Sequence, residues 1–89
     1  MEEYDYTPGG RRLTKHAARR LVDRYVDVDD VIDNFSQRFA QDDGAQVFVK
    51  RRKANGYDVV IADSAGIVTV LVNVSKREIH NLARNYGWR

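Results

Sequence analysis

The chain of 89 residues has no cysteine, one proline, one methionine, one tryptophan and two histidines. Without cysteine there is no disulfide to staple the fold, no thiol redox chemistry and no cysteine-based zinc site. His16 and His80 stand too far apart in sequence to make a paired-histidine metal motif, so neither a metal nor another cofactor is expected. No apolar run approaches the roughly 18 residues that span a bilayer. The start, Met1-Glu2-Glu3-Tyr4-Asp5, is acidic where a secretory signal is basic and then apolar. No membrane segment is therefore expected. A chain this short builds one core and buries only about 60% of the surface exposed when unfolded.

What the chain does have is charge, distributed unevenly. Residues 1–44 carry 7 basic and 10 acidic side chains, whereas residues 45–89 carry 8 and 3. Arg11, Arg12, Lys15, Arg19 and Arg20 precede an acidic stretch from Asp23 to Asp43, and Lys50-Arg51-Arg52-Lys53 follows it. Two basic clusters around an acidic one suggest a phosphate-binding face assembled from distant segments. They are equally the pattern of a solvated surface.

Residues 1–12 lack apolar periodicity and contain Thr7-Pro8-Gly9-Gly10, which breaks helix and strand. They read as a flexible tail or linker, leaving residues 13–89 as a single domain. Thr14 is a candidate cap for a helix over 15–25, with Ala17, Ala18, Leu21, Val22 and Tyr25 on one face. Asp27 is the candidate cap of a second helix, in which Val28, Val31, Ile32, Phe35 and Phe39 recur at helical spacing. Asp42-Asp43-Gly44 closes it. From Ala45 the period becomes two: strands are predicted near 46–52, 57–62 and 67–73, with Asn55-Gly56 and Asp63-Ser64-Ala65-Gly66 as turns. The last strand is apolar nearly throughout, which predicts cover on both faces and sets off the hydroxyl of Thr69. Ser75-Lys76-Arg77-Glu78 matches a capping box that opens a helix to Tyr86, stopped by Gly87. The expected fold is α+β: two N-terminal helices, a three- or four-stranded antiparallel sheet and a C-terminal helix, in the order ααβββα.

Several side chains are candidates for phosphate chemistry. His16, one turn before Arg20, places a group that titrates near neutrality beside a fixed cation. His80 repeats the pattern, with Lys76 and Arg84 at i−4 and i+4. Lys50 and Arg52 share one side of their strand and suit a nucleic-acid backbone, and Tyr57 suits base stacking. Each also has a plain structural reading: solvated helix charges, a charged hairpin tip, a core aromatic and an ordinary strand threonine.

Together, Thr14-Lys15-His16-Ala17-Ala18-Arg19-Arg20-Leu21-Val22-Asp23-Arg24 and Val28-Asp29-Asp30-Val31 resemble the H-A-x-x-R-x-x-x-R helix and following acidic helix of a family of small RelE-like domains. Val47-Phe48-Val49-Lys50, Asn55 to Ile61 and Gly66-Ile67-Val68-Thr69-Val70 resemble that family's hairpin and closing VTV strand. The likeness runs from about Leu13 to Asn73. The chain departs from the pattern in its C-terminal helix and in Tyr25, where the family usually has glycine. The resemblance implies a fold of the barnase–EndoU–colicin–RelE group and a metal-independent ribonuclease that uses the RNA 2′-hydroxyl as nucleophile. Such domains are toxins, delivered in some cases as the C-terminal part of a larger secreted protein to act in the cytoplasm. An acidic antitoxin or immunity protein would be the partner. Carried over residue by residue, His16, Arg20 and Thr69 would be catalytic, with His80 as a second proton carrier, while Arg12, Arg19, Arg24, Lys50, Arg52 and Tyr57 would hold RNA. A non-catalytic nucleic-acid- or protein-binding module, as carried by phages and mobile elements, is the competing expectation.

Overall fold

The computed structural model describes residues 5–23 and 27–89. Its elements are β1 (Asp5–Tyr6), β2 (Arg12–Leu13), α1 (Lys15–Asp23), α2 (Val28–Asp33), β3 (Gln37–Ala40), β4 (Gln46–Arg51), β5 (Tyr57–Asp63), β6 (Gly66–Val74) and α3 (Lys76–Tyr86). The strands form one six-stranded sheet in the order β1-β2-β6-β5-β4-β3. All neighbours are antiparallel except β2 and β6, which run parallel through the pair Leu13 and Ile67.

This corrects the expected ααβββα layout with its small antiparallel sheet: the sheet is mixed and twice as wide as three strands. Two strands come from the segment read as a tail. Tyr6 and Asp5 pair with Arg12 and Leu13 across the Thr7–Arg11 loop, and Thr7 is buried. The third comes from what reads as the far half of the second helix. That helix stops at Asp33, where the Asn34 N–H closes on the Asp30 carbonyl, and the Ser36 N–H then donates to Val49 of β4. Phe39 therefore lies on a strand, and Phe35 is largely exposed rather than in a helical stripe.

Period-two sequences explain the two faces of the sheet. Phe48, Val60 and Val70 pack with Ala17 of α1 and Val28 and Val31 of α2. The intervening Val47, Val49, Val59 and Ile61 pack with Ile79, Leu82 and Ala83 of α3 and with Trp88. The sheet is thus a middle layer between α1 and α2 on one side and α3 on the other. β6 is covered on both faces, as its apolar sequence predicts. Val47, Val49, Val59 and Val60 are fully inaccessible, and each such side chain contributes about 1.5–3 kcal/mol over its exposed state.

Capping follows the sequence closely. The Thr14 hydroxyl accepts from the Ala17 N–H at 3.3 Å, and Asp27 accepts from the Asp30 N–H at 3.1 Å. Ser75 accepts from the Glu78 N–H at 3.1 Å, and Gly87 ends α3 in the left-handed region.

One glycine is demanded by the parallel pairing. Gly66 has φ +122°, and a Cβ there would lie 2.5 Å from the carbonyl oxygen of Arg12. Gly66→Ala is expected to cost about 2 kcal/mol, from the unfavourable φ and the displacement of β2. In a domain of this size that lowers the melting temperature by roughly 8–16 °C. An unchanged midpoint in a calorimetric scan would show that the chain holds its fold without this close approach.

Candidate nucleic-acid interface

One residue of each basic cluster, Arg11 and Lys50, is folded onto the acidic stretch that lies between them in sequence. Arg11 is shared between Asp29 and Asp33, at 2.8 Å from each. Lys50 is paired with Asp30 of α2, and Arg52 with Asp58 at 2.9 Å. On α2 the Lys50 ammonium, and then the hydrogen bond from Asn34, hold the Asp30 carboxyl below the usual range. Lys50 and Arg52, proposed from sequence as phosphate-holding groups, are thus half-neutralised within the chain.

The candidate residues divide between the two sides of the sheet. His16 and Arg19 are exposed on α1. Lys50 is on the α1/α2 side of β4, where it reaches Asp30. Thr69 lies opposite Ile61, so it belongs to the α3 face, where it is half-buried. His80 is exposed on α3. Tyr57 packs against the α3 side as well. The sheet therefore stands between His16 on one side and His80 and Thr69 on the other. Arg12 lines a separate cavity, described below. Arg20 lies on α1; its side chain and the whole of Arg24 lie outside the described residues.

What the fold does assemble is a basic surface on the α3 side. Ile79, Leu82 and Ala83 turn one face of α3 to the sheet. At helical spacing this puts Lys76, His80 and Arg84 in one line at i, i+4 and i+8, with Arg77 beside them. All four are exposed. The only acid of the helix, Glu78, is occupied at its start: its carboxylate accepts from the Ser75 hydroxyl at 3.2 Å. The β4–β5 hairpin brings Arg51 and Lys53 to the same end, with Arg51 paired across the ladder to Tyr57. Arg51, Lys53, Lys76, Arg77 and Arg84 have no acid partner among the described residues. Sequence reasoning named His80 with its neighbours but left Arg51, Lys53 and Arg77 out of the site. The signal for Arg77 was the arc of helix opposite Ile79, Leu82 and Ala83.

Two of the cavities among the described residues bear on the site. The larger, about 490 Å³, is on the α1/α2 side and is lined by Arg11, Arg12, Ile32, Gln46, Phe48 and Asp63 among others. Its Arg11 already serves two carboxylates and Asp63 adds a negative charge, which suits a phosphate poorly. The smaller, about 320 Å³, lies between the β4–β5 hairpin and the start of α3. Arg51, Asn55, Tyr57, Ser75 and Lys76 line it, and no carboxylate does.

Among the described residues no three potential metal ligands come together, and no helix is long and apolar enough to cross a membrane. No protein-family model matches the chain, and neither a curated protein nor a solved structure resembles it significantly.

Proposed function

We propose that the chain is a nucleic-acid-binding module that grips the sugar–phosphate backbone with the outer face of α3 and the tip of the β4–β5 hairpin. The observation that carries this reading is the unequal pairing of charge. On the α1/α2 side Arg11, Lys50 and Arg52 are spent on aspartates of the same chain, and Lys15, Arg19 and Arg38 have no acid partner among the described residues. Arg51, Lys53, Lys76, Arg77 and Arg84, by contrast, all lack one and share one helix and the hairpin beside it. An unpaired basic stripe on a helix, next to a basic hairpin, is an electrostatic footprint for a polyanion. Binding is favoured over cleavage because the sheet separates His16 from His80, so the two histidines do not serve one phosphate as an acid–base pair.

The test is fluorescence anisotropy of a labelled RNA 20-mer across a salt series. Four phosphate contacts predict an affinity loss of roughly 10²-fold between 50 and 200 mM salt. Arg77→Glu/Arg84→Glu is expected to weaken binding at 50 mM salt at least tenfold and to flatten the salt slope. Lys15→Glu/Arg38→Glu, on the opposite side, should change it by less than about twofold. Equal losses from both double variants, or no RNA binding at low salt, overturns the proposal. Tighter capture of polyglutamate than of RNA would point instead to an acidic protein such as an antitoxin or immunity protein. RNA cleavage in EDTA that is abolished by His16→Ala or His80→Ala would replace a binding module by a ribonuclease.

A further inference from the structure

We infer that this face takes single-stranded nucleic acid and seats one nucleotide in the 320 Å³ cavity between the hairpin and α3, an inference that rests on the basic-face reading and narrows it. Arg51 and Lys76 reach the cavity from different elements, and neither has a partner among the described residues. The acids closest in sequence are engaged elsewhere: Asp58 with Arg52 and the Asn73 N–H, Glu78 with Ser75. Ser75 already caps the Glu78 N–H, so the anion-holding groups are the two side-chain cations rather than the end of the helix. Two cations without a local counter-charge define a seat for a phosphate.

Tyr57 supplies the other half of a nucleotide site. Its ring is half-buried, lines the same cavity and belongs to β5, a strand in the middle of the sheet. A ring held by a strand is a rigid platform for a base, and stacking on it tolerates any base because each has a π face. Asn55 at the rim adds an amide with both donor and acceptor for a base edge.

Volume then selects the strand state. A cavity of 320 Å³ is at the lower end of ligand sites. A seat of this size takes a single unstacked base, which a duplex keeps inside its stack. A single strand offers unstacked bases directly. A duplex must first unpair and flip one, at a cost of a few kcal/mol.

Anisotropy titrations at 50 mM salt with one sequence as single-stranded RNA, single-stranded DNA and the matching duplex provide the test. Both single strands are expected to bind at least tenfold more tightly than the duplex. Tyr57→Leu should weaken single-strand binding about tenfold or more and leave duplex binding within twofold, while Tyr57→Phe keeps the wild-type values. Because Tyr57 also touches the core, Arg51→Gln/Lys76→Gln serves as a second variant with both changes at exposed side chains. It should remove most of the single-strand preference, with the melting temperature measured in parallel. A duplex bound as tightly as the single strands, with Arg77→Glu/Arg84→Glu still harmful, overturns the nucleotide seat and leaves the basic face standing. Loss of all nucleic-acid binding in the wild type overturns both.

Discussion

A Trp88→Ala variant is expected to lose about 3–5 kcal/mol of stability, the usual cost of emptying a buried aromatic site. Trp88 is only 7% exposed. Its ring stacks on Phe39 of β3 with centroids 5.7 Å apart and planes at 23°, and its indole Nε1 donates to the Gln41 side-chain oxygen at 3.0 Å. The backbone adds a further tie, since the Trp88 N–H donates to Ala83 at 3.0 Å. Trp88 therefore joins the C-terminal end of α3 to the edge of the sheet. Domains of this length hold roughly 4–13 kcal/mol in total, so the substitution removes a large share of it. Trp88→Phe keeps a ring on Phe39 and loses the indole donor, and a cost of about 1 kcal/mol is expected from the orphaned Gln41 oxygen. Urea titrations followed by circular dichroism measure both, because the alanine and phenylalanine variants lack the sole tryptophan. Equal midpoints for wild type and Trp88→Ala would show that α3 is held by Ile79 and Leu82 alone.

The second large effect is expected at Asp29. This carboxylate accepts from the Thr7 hydroxyl at 2.7 Å, the Gly9 N–H at 2.7 Å and Arg11 at 2.8 Å, and its side chain is 14% exposed. It pins the loop between β1 and β2 onto α2. Asp29→Ala is expected to cost about 2–3 kcal/mol, because Thr7 and Arg11 lose their common acceptor in a half-dry site. Burial by itself would raise the Asp29 carboxyl, but the bonds from Thr7, Arg11 and Gly9 outweigh it and hold the group below its ordinary value. The unfolded chain therefore takes up a proton at higher pH than the folded one. The stabilisation is complete above the unfolded value near pH 4 and is lost as pH falls through the lower folded value. Comparing urea midpoints at pH 6 and pH 3, wild type should fall more steeply than Asp29→Asn. Parallel slopes would mean that the loop is not held by this charge.

Local patterns were readable and non-local pairings were not. The helix cap at Ser75, the alternation of β4 and the double cover of β6 follow from neighbours in sequence, and the structure contains all three, with the Glu78 carboxylate on the Ser75 hydroxyl rather than on its backbone N–H. β1 and β2 are two residues each. Their apolar signal is too short to register beside Pro8-Gly9-Gly10, and they exist because β6 supplies a partner more than 50 positions away. β3 was hidden for a different reason. Phe35 and Phe39 are spaced as on a helix, but Gln37-Arg38-Phe39-Ala40 also alternates, and pairing with Val47 and Val49 decides for strand.

The site followed the same division. The helical line through Lys76, His80 and Arg84 was visible as spacing. The cancellation of Lys50 by Asp30, 20 positions apart, was not, and neither was the sheet that separates His16 from His80. Charge runs give the inventory of a surface, while the topology decides which charges meet their opposites and which are left for a partner.

Across the sheet, from β1 to β3, the strands are 2, 2, 9, 7, 6 and 4 residues long, so the long ladders are interior and the margins are short. At the β3 margin Ala40 exchanges two 2.9 Å backbone bonds with Arg89, which uses up the edge at that point. The β2 margin is different: β2 meets β6 only at Leu13 and Ile67, so among the described residues the rest of the nine-residue β6 has no strand on that side. Arg89 thus occupies the place that an added strand would take at Ala40, while beyond Ile67 the ladder of β6 is open to a strand from elsewhere.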